Sequence, residues 1–358
     1  MEEPRPHAGL RGVLERNFGW AWAAGLAMAV ATVVFAAVAE LPIRDPDAFV
    51  PGYIRFPAIV LGAVSLDVVP RLVRRVWVER TALKATFLAV MRERWPRSQW
   101  LFALGGVGAW YLTYAAFRNI KSFVPFVNGH DWDSEMRAID RVLWFGHDPA
   151  VVLHNVFGTG WASHFFSGVY FVWIALVPVS IAIALVWTRH STAGSWYVTA
   201  VAFDWALGCT VYMLLPTVGP IYTSAQREQF ADLAPTYNTQ LADSMWDDRV
   251  QVLGDVFGSG TIQTIAAFPS LHVGIMVTIC LMVQYVGLAR WIRVLSWVFL
   301  VLTMFATLYL GWHYFVDVLA GCALGSVTVW AAALATGNHV GLRPKLAAKR
   351  DEQVSVEV

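Results

Sequence analysis

Long apolar stretches separated by short polar segments form the dominant pattern of the chain. Residues 18–39 contain no charged side chain. As a helix rising about 1.5 Å per residue, they are long enough to cross a ~30 Å bilayer core. Comparable stretches predict about eight transmembrane helices. Their approximate bounds are 18–39, 56–70, 100–117, 164–187, 196–216, 271–289, 294–312 and 315–336. The predicted fold class is therefore all-α, a polytopic membrane helical bundle.

The first two stretches each allow a second interpretation. Ala37-Val38-Ala39 resembles a signal-peptidase site. The apolar stretch before it is longer than the 7–15 residues of a usual signal-peptide core, so we expect a retained helix. The stretch at 56–70 is short and contains Asp67. A re-entrant or surface helix is the alternative to a full crossing there.

A basic segment at 71–99 follows the second stretch. It carries eight Lys and Arg residues, more than any other loop of the chain. Its apolar residues fall on one helical face, which is typical of a helix that lies on a membrane surface. The residues of that face are Leu83, Phe87, Leu88 and Met91.

Composition supports a membrane protein. The chain of 358 residues is 57% hydrophobic and 14% charged, whereas soluble domains carry about 25% charged residues. The mean hydropathy is +0.53. We find no nucleic-acid motif and expect no nucleic-acid partner. The three cysteines lie in apolar stretches, so they resemble small buried side chains more than a disulfide framework or metal cluster. They are Cys209, Cys280 and Cys322.

The distribution of positive charge predicts the orientation in the membrane. Eight helices place both termini on one side, and that side carries 18 of the 26 Lys and Arg residues. By the positive-inside rule this side is cytoplasmic. The starts of the stretches at 271 and 315 then face the extracytoplasmic side. Two long loops, at about 118–163 and 217–270, lie there too. Loops of this length are usually functional or disordered, and their aromatic residues favour an ordered lid or vestibule.

Two histidines and an aspartate are the candidate chemical groups. His313 and Asp317 are four residues apart, so on a helix they share a face. A carboxylate beside an imidazole fixes its tautomer and leaves the opposite ring nitrogen free as a nucleophile. His272 comes from another helix and suits general acid–base catalysis. Ionisable groups in a membrane segment usually mark a functional site.

Three further residues are candidates for binding a phosphate group. Ser270 follows Pro269 at the start of a predicted helix, where a serine caps the helix and free backbone N–H groups bind phosphate. Arg118 and Lys121 follow the third predicted helix and would neutralise phosphoryl oxygens. Their alternative role is that of interfacial residues whose charged ends reach toward water.

Other acidic residues suggest weaker alternatives. The segment Gly129-His130-Asp131-Trp132-Asp133 could hold a divalent cation, but a solvated loop is favoured, and contact with a polar headgroup is a third reading. Asp67 and Asp204 lie in apolar stretches, as the proton-relay residues of transporters do. A buried, hydrogen-bonded aspartate is the simpler explanation for both. No metal site and no cofactor are therefore predicted.

Two motifs resemble signatures of the type 2 phosphatidic acid phosphatase superfamily. Pro269-Ser270-Leu271-His272 resembles the second signature, and His313-x-x-x-Asp317 resembles the third. The longer strings at 267–272 and 312–321 are closer to the branch that includes the inositol phosphorylceramide synthases. Leu214-Leu215-Pro216 to Gly219-Pro220 and the string at 140–149 also resemble that branch. The resemblance covers about residues 100–335.

The resemblance implies a fold, a reaction and three residue roles. It implies a six-helix core, lipid phosphate substrates and metal-independent transfer through a phosphohistidine. It implies that His313 is the nucleophile, Asp317 its orienting carboxylate and His272 the general acid and base. The chain departs from the family pattern where Ala306 and Thr307 replace the usual Ser-Arg. The first signature has no clean match, and Tyr114-x-x-x-Arg118 is the nearest substitute.

We therefore expect a multi-pass protein of the cell membrane with three regions. They are the N-terminal helices and surface helix (1–99), a catalytic six-helix core (100–336) and a polar cytoplasmic tail (337–358). The expected activity is lipid phosphotransfer at the extracytoplasmic face, with a lipid-linked phosphate as substrate. The alternatives are a phosphatase with the same site, a transporter or flippase, and a structural protein with an inactive site. The oligomeric state is left open.

Overall fold

Helices make up nearly all of the regular structure. The computed structural model describes residues 18–46, 52–187 and 191–347. The predicted cytoplasmic segments at 1–17 and 348–358 lie outside the described residues. Within those residues the twelve α-helices are α1 Gly19–Val38, α2 Gly52–Val78, α3 Leu83–Arg94, α4 Arg97–Val127, α5 Asp133–Leu143, α6 Pro149–Phe157, α7 Trp161–Ala182, α8 Ser191–Leu214, α9 Tyr237–Gly254, α10 Leu271–Val286, α11 Arg290–Tyr309 and α12 Phe315–Ala335. A π-helical turn, Ile183–Trp187, extends α7, and a short antiparallel hairpin pairs β1 His339–Val340 with β2 Arg343–Pro344.

The prediction of an all-α polytopic membrane bundle is confirmed. In the described part of the chain, six helices are long and apolar enough to cross a membrane, namely α1, α4, α7, α8, α11 and α12. The predicted count of eight is too high by this measure. Helix α10 is apolar but has only 16 residues. Helix α2, which contains the predicted second crossing, is not among the six.

Helix α2 is longer than the predicted second crossing, and its buried Asp67 is paired with basic residues. It continues for 27 residues, through the predicted stretch at 56–70 and into the basic segment. Asp67 is 1% exposed. Its carboxylate accepts hydrogen bonds from the Arg71 and Arg94 guanidinium groups at 2.6 Å and from the indole N–H of Trp95 at 3.2 Å. Asp67 is thus a paired structural carboxylate, as its simpler explanation required.

The basic segment forms helix α3. Most of its predicted apolar face does not contact the rest of the protein. Thr86 and Val90 are the buried residues of this helix. Leu83, Phe87 and Leu88 are exposed. The face predicted to contact the membrane surface is therefore directed largely away from the protein.

Close packing between α10 and α12 brings their first turns together. A Cβ atom on Gly321 would collide with the carbonyl oxygen of Ser270, and one on Gly325 would collide with the backbone of Gly274. Small residues allow such close approach between membrane helices. The backbone N–H of Ser270 donates to the carbonyl oxygen of Asp317 at 3.0 Å. The two predicted motifs therefore meet at the same end of the bundle.

Asp204 of α8 ties the same helices together deeper in the bundle. It is fully buried. The hydroxyl groups of Thr278 in α10 and Thr328 in α12 donate to its two carboxylate oxygens at 2.8 and 2.6 Å. Hydrogen bonds of this kind satisfy a polar group that the bilayer cannot. Asp204 is therefore a hydrogen-bonded link among three helices.

The two long predicted loops contain ordered structure. Helix α4 continues ten residues beyond the predicted end at 117, so Arg118 and Lys121 lie inside it. Helices α5 and α6 occupy most of the first loop. The second contains the short turns Pro220–Tyr222 and Arg227–Phe230 and helix α9. These elements, α5, α6, α9 and the two turns, are called the outer cap below, after the side of the membrane that the sequence predicts for them.

Candidate active site

His272, His313 and Asp317 form a continuous chain of side chains. His313 Nε2 lies 2.9 Å from His272 Nδ1, and His313 Nδ1 lies 3.2 Å from Asp317 Oδ2. His313 is 4% exposed and Asp317 is fully buried. The predicted sharing of one helical face by His313 and Asp317 results in direct contact. The structure also brings His272, from a different helix, to the ring nitrogen that the carboxylate leaves free.

The turn between α11 and α12 positions His313. Gly311 has a φ of 75°, a left-handed conformation that favours glycine. A Cβ atom there would also collide with the ring of Phe230. The carbonyl oxygen of Gly311 accepts a hydrogen bond from the N–H of Ile221 at 3.0 Å. The outer cap therefore holds the turn that carries the histidine.

Asp317 has two functions at the start of α12. Its Oδ2 accepts the hydrogen bond from the backbone N–H of Tyr314 at 2.9 Å, in addition to its contact with His313. Its Oδ1 is buried and has no hydrogen-bond partner among the described residues. The hydrogen bond from the helix start thus fixes the carboxylate, and the fixed carboxylate in turn orients the imidazole of His313.

Ser270 caps α10, as predicted. Its hydroxyl oxygen accepts a hydrogen bond from the backbone N–H of Val273 at 3.4 Å, and the side chain is fully buried. His272 follows in the first turn of the same helix. The backbone N–H groups of that turn, with their partial positive charge, therefore lie beside the histidine pair.

The two predicted cations have different surroundings. Lys121 Nζ lies 5.0 Å from the centre of the Tyr212 ring, a cation–π distance. The Tyr212 hydroxyl donates to the carbonyl oxygen of Pro269 at 3.2 Å. The ammonium group is also within electrostatic reach of both imidazoles. Arg118 instead donates two hydrogen bonds to the carbonyl oxygen of Pro46. The structure therefore places Lys121 near the histidines and uses Arg118 to hold the loop after α1.

His313 is placed to act as a neutral imidazole. Burial lowers the pKa of His313 below its ordinary value, and the positive charge of Lys121 acts in the same direction. A neutral imidazole that donates from Nδ1 to Asp317 has a lone pair on Nε2. His272 Nδ1 is then the donor in the hydrogen bond between the two rings. The arrangement suits nucleophilic attack by Nε2 and proton donation by His272.

Aromatic side chains enclose His272. The ring centres of Trp173 and Tyr170 lie 4.3 and 5.0 Å from that of His272. The Trp173 indole N–H donates to the His272 carbonyl oxygen at 2.9 Å. Trp312 stacks on Tyr170 with ring centres 5.3 Å apart. These residues were not singled out from the sequence, because aromatic residues are frequent throughout the chain.

Two buried carboxylates of α5 were also missed as parts of this site. Asp140 accepts hydrogen bonds from the N–H groups of Phe315 and Val316 at 2.6 and 2.8 Å. These groups open α12, so a carboxylate from another helix caps the helix that carries Asp317. Burial raises the pKa of Asp140 to about 7, although these two donors oppose the shift.

Asp133 performs a similar function two turns earlier in α5. It accepts hydrogen bonds from the N–H groups of Val218 and Gly219 at 2.7 and 2.8 Å and from the Tyr314 hydroxyl at 2.9 Å. Both oxygens are therefore engaged in holding the outer cap. Over the described ranges, no group of three or more His, Cys, Asp and Glu residues is arranged to hold a metal ion.

The fold and the site together define a class of protein. It is a polytopic membrane protein in which a buried His–His–Asp chain lies beneath an ordered outer cap. Residues 134–339, more than half of the chain, match the family model described as the PAP2 superfamily, and the chain belongs to this superfamily. No curated protein and no solved structure matches the chain. The resemblance to the superfamily is confirmed, and membership supports an enzyme of the phosphatase or phosphotransferase type. The closer resemblance to one branch, and the predicted boundary of the core at residue 100, stay predictions.

Proposed function

We propose that the protein is an integral membrane lipid phosphotransferase that works through a phosphohistidine on His313 at the extracytoplasmic face. The observation that carries the proposal is the His272–His313–Asp317 chain, with its distances of 2.9 and 3.2 Å. Membership of the PAP2 superfamily supports the reaction type. The substrate class is a lipid-linked phosphate, because the site opens at the end of a bundle of membrane helices.

The first step forms the phosphohistidine. The lone pair of His313 Nε2 attacks phosphorus, and the bond from phosphorus to the leaving oxygen breaks. His272, protonated on both ring nitrogens when the anionic substrate is bound, gives its Nδ1 proton to that oxygen and becomes a neutral imidazole. Asp317 Oδ2 accepts the Nδ1–H of His313 and stabilises the positive charge that develops on the ring. Because His272 Nδ1 lies 2.9 Å from His313 Nε2, the phosphoryl group must enter between the two rings.

The second step regenerates the histidine. An alcohol attacks phosphorus, its oxygen–phosphorus bond forms, and the phosphorus–Nε2 bond breaks. The alcohol proton passes to His272, which restores both imidazoles. If water attacks instead, the same site is a phosphatase, which is the alternative activity. The outer cap favours transfer because ordered structure above the site limits the access of water.

Charges near the histidines bind the phosphoryl oxygens in this proposal. Lys121 provides a cation whose charge acts on both histidines, and the N–H groups at the start of α10, capped by Ser270, provide neutral donors. Arg118 was predicted to take part as well, but its hydrogen bonds to Pro46 favour a supporting role. Electrostatic stabilisation of this kind is usually the largest contribution to such reactions.

Labelling with ³²P tests the mechanism. Purified protein given ³²P-phosphatidic acid should acquire a label that is stable in base and lost in acid, as expected of phosphohistidine. His313→Ala should remove the label, whereas His147→Ala, an exposed histidine in the loop after α5, should keep it. A folded His313→Ala protein that is labelled as fast as the wild type would refute the proposal.

The orientation has a separate test. Ser224→Cys places a thiol on an exposed position of the outer cap, and Ala82→Cys places one beside the basic helix α3. A maleimide that does not cross membranes should label the first variant in intact cells and the second only after permeabilisation. The reverse pattern would place the site on the cytoplasmic side.

A further inference from the structure

A cavity of about 270 Å³ with a mixed apolar and polar lining has no role in the steps above. This volume has room for about nine water molecules at ~30 Å³ each. It is lined by the end of α4 with the loop that follows, by the segment 216–218, by α9 and by Ile265. Its polar lining residues are Asn128, His130, Asp131, Thr217 and Arg249. It is called the outer polar cavity below.

The cavity and the histidine site share a wall. Thr217, a lining residue, accepts hydrogen bonds from Ala267 through its carbonyl oxygen at 3.0 Å and from Phe268 through its hydroxyl at 2.8 Å. Two residues after Phe268, the chain reaches Ser270 and the start of α10. The segment 267–270 therefore connects a wall of the cavity to the start of α10, where His272 lies.

Helix α4 connects the two sites along another side. Lys121 lies near the histidines, and Val124 of the same helix and Asn128, the residue directly after it, line the cavity. At about 1.5 Å per residue these positions are roughly 5 and 10 Å further along the helix axis. Gln263 joins both regions, because its side-chain amide donates to the Lys121 carbonyl oxygen at 2.8 Å and accepts from Arg249 at 3.2 Å. A group held in the cavity is thus within the length of a small molecule from the phosphoryl site.

The charges of the cavity are suited to a hydroxyl-rich ligand. Arg249 is half-buried, donates from Nη1 to Gln263 and forms no ion pair with a carboxylate of the described residues. Burial lowers the pKa of Arg249, opposed by Asp131 and Asp133, but a guanidinium stays charged at neutral pH. Asp131 uses Oδ1 to accept the N–H of Asp133. A guanidinium donates to hydroxyl oxygens and a carboxylate accepts O–H groups, so together they bind polyols, while the carboxylate disfavours a second anion.

We propose that the outer polar cavity binds the polyhydroxylated group that is joined to phosphorus in this reaction, with Arg249 and Asp131 as its ligands. The inference rests on the proposed phosphotransfer. The group has two possible sources with the same chemistry. It is either a free polyol that attacks the phosphohistidine or the polyol headgroup of the donor lipid. In the first case its hydroxyl forms the new oxygen–phosphorus bond, the phosphorus–Nε2 bond breaks, and the proton passes to His272.

Two substitutions and two matched controls test the proposal. Arg249→Ala and Asp131→Asn remove the ligands. Arg227→Ala and Asp247→Asn change exposed residues of the outer cap that do not line the cavity. Labelled phosphoenzyme is made from ³²P-phosphatidic acid and chased with water or with glycerol and myo-inositol. If the polyol is the acceptor, both cavity variants should label normally and lose at least tenfold in the ratio of phosphorylated polyol to free phosphate.

Phosphatidylglycerol distinguishes the second source. If the cavity holds the headgroup of the donor, the cavity variants should react at least tenfold more slowly with phosphatidylglycerol and normally with phosphatidic acid. Unchanged product ratios together with unchanged donor preference in both cavity variants would overturn the proposal. The same holds if the control variants lose as much as the cavity variants.

A binding measurement separates this inference from the proposed function. Saturation-transfer NMR with myo-inositol and unlabelled protein needs no chemical step. If the wild type fails to label but binds myo-inositol, and Arg249→Ala abolishes binding, the phosphohistidine proposal fails while the cavity assignment stands. If the wild type labels but none of these polyols binds or reacts in a way that depends on Arg249, the cavity assignment fails alone.

Discussion

Removal of the Asp140 carboxylate should lower the stability of the protein and the rate of phosphoryl transfer. Both effects should act through α12, although Asp140 belongs to α5. Asp140 is 1% exposed, and its two oxygens accept the N–H groups of Phe315 and Val316 at 2.6 and 2.8 Å. In Asp140→Ala both donors lose their partner at the start of α12. The first turn of that helix carries Asp317, which orients His313.

The magnitude follows from the two hydrogen bonds. A hydrogen bond to a charged group contributes about 1.5–3 kcal/mol, and a negative charge at a helix N-terminus adds about 0.3–1 kcal/mol. The desolvation of a buried carboxylate, which also raises its pKa, offsets part of this sum. We expect Asp140→Ala to lower the free energy of unfolding by about 2–4 kcal/mol, within the range for a lost helix cap and a lost buried bond.

Two measurements check this expectation. Thermal unfolding of the detergent-solubilised protein should show a melting temperature lower by several degrees. The initial rate of His313 labelling should fall at least tenfold at a temperature where the variant stays folded. Asp140→Asn keeps one acceptor oxygen and should show about half of the loss in stability. Glu135→Ala, an exposed acid of the same helix, is the control and should change neither quantity. An Asp140→Ala protein with wild-type stability and rate would refute the role of this cross-helix cap.

Three further predictions concern other parts of the site. Lys121→Ala should reduce the labelling rate about 100-fold or more, since it removes the cation whose charge acts on both histidines, whereas Arg118→Ala should mainly lower the melting temperature; equal rate losses would contradict the difference in their surroundings. Gly321→Val should separate α10 from α12 and abolish labelling, with circular dichroism to show whether helices persist; a fully active variant would show that the close approach is not needed. Because burial lowers the pKa of His313, labelling should not lose rate as the pH falls from 7 to 5, since this imidazole protonates only at lower pH. A decline centred near pH 6.5 in single-turnover experiments would show an ordinary, solvated histidine.

Local sequence determined the helices and the contact between His313 and Asp317 at the start of α12. Hydrophobic length is sufficient to predict most of the crossings, because a bilayer permits few alternatives to a helix with internal hydrogen bonds. The spacing of His313 and Asp317 is likewise local, since helix geometry alone brings residues four apart onto one face. Ser270 as the cap of α10 follows from the same short-range rules.

The end of α4 shows where local pattern was insufficient. The predicted end at 117 reflected the polar residues that follow. The helix continues to Val127 because distant segments satisfy those residues. The Asn119 side chain forms hydrogen bonds in both directions with the backbone of Arg44, and Gln263 donates to the carbonyl oxygens of Lys121 and Ser122. No property of the sequence near 118–127 indicates these partners.

Contacts between distant segments of the chain determine which polar residues meet. In the sequence, Arg118 and Lys121 have equal standing, Asp133 belongs to a segment for which a solvated loop is favoured, and Asp140 has no assigned chemical role. The fold directs Lys121 toward the histidines and Arg118 toward Pro46, and it buries both acids against backbone N–H groups more than 80 residues away. The histidine chain shows the physical reason for this division. His313 and Asp317 form a local pair, whereas the contact between His272 and His313 joins residues 41 positions apart. The short-range half is encoded in helical spacing, whereas the long-range half depends on the close packing of α10 on α12.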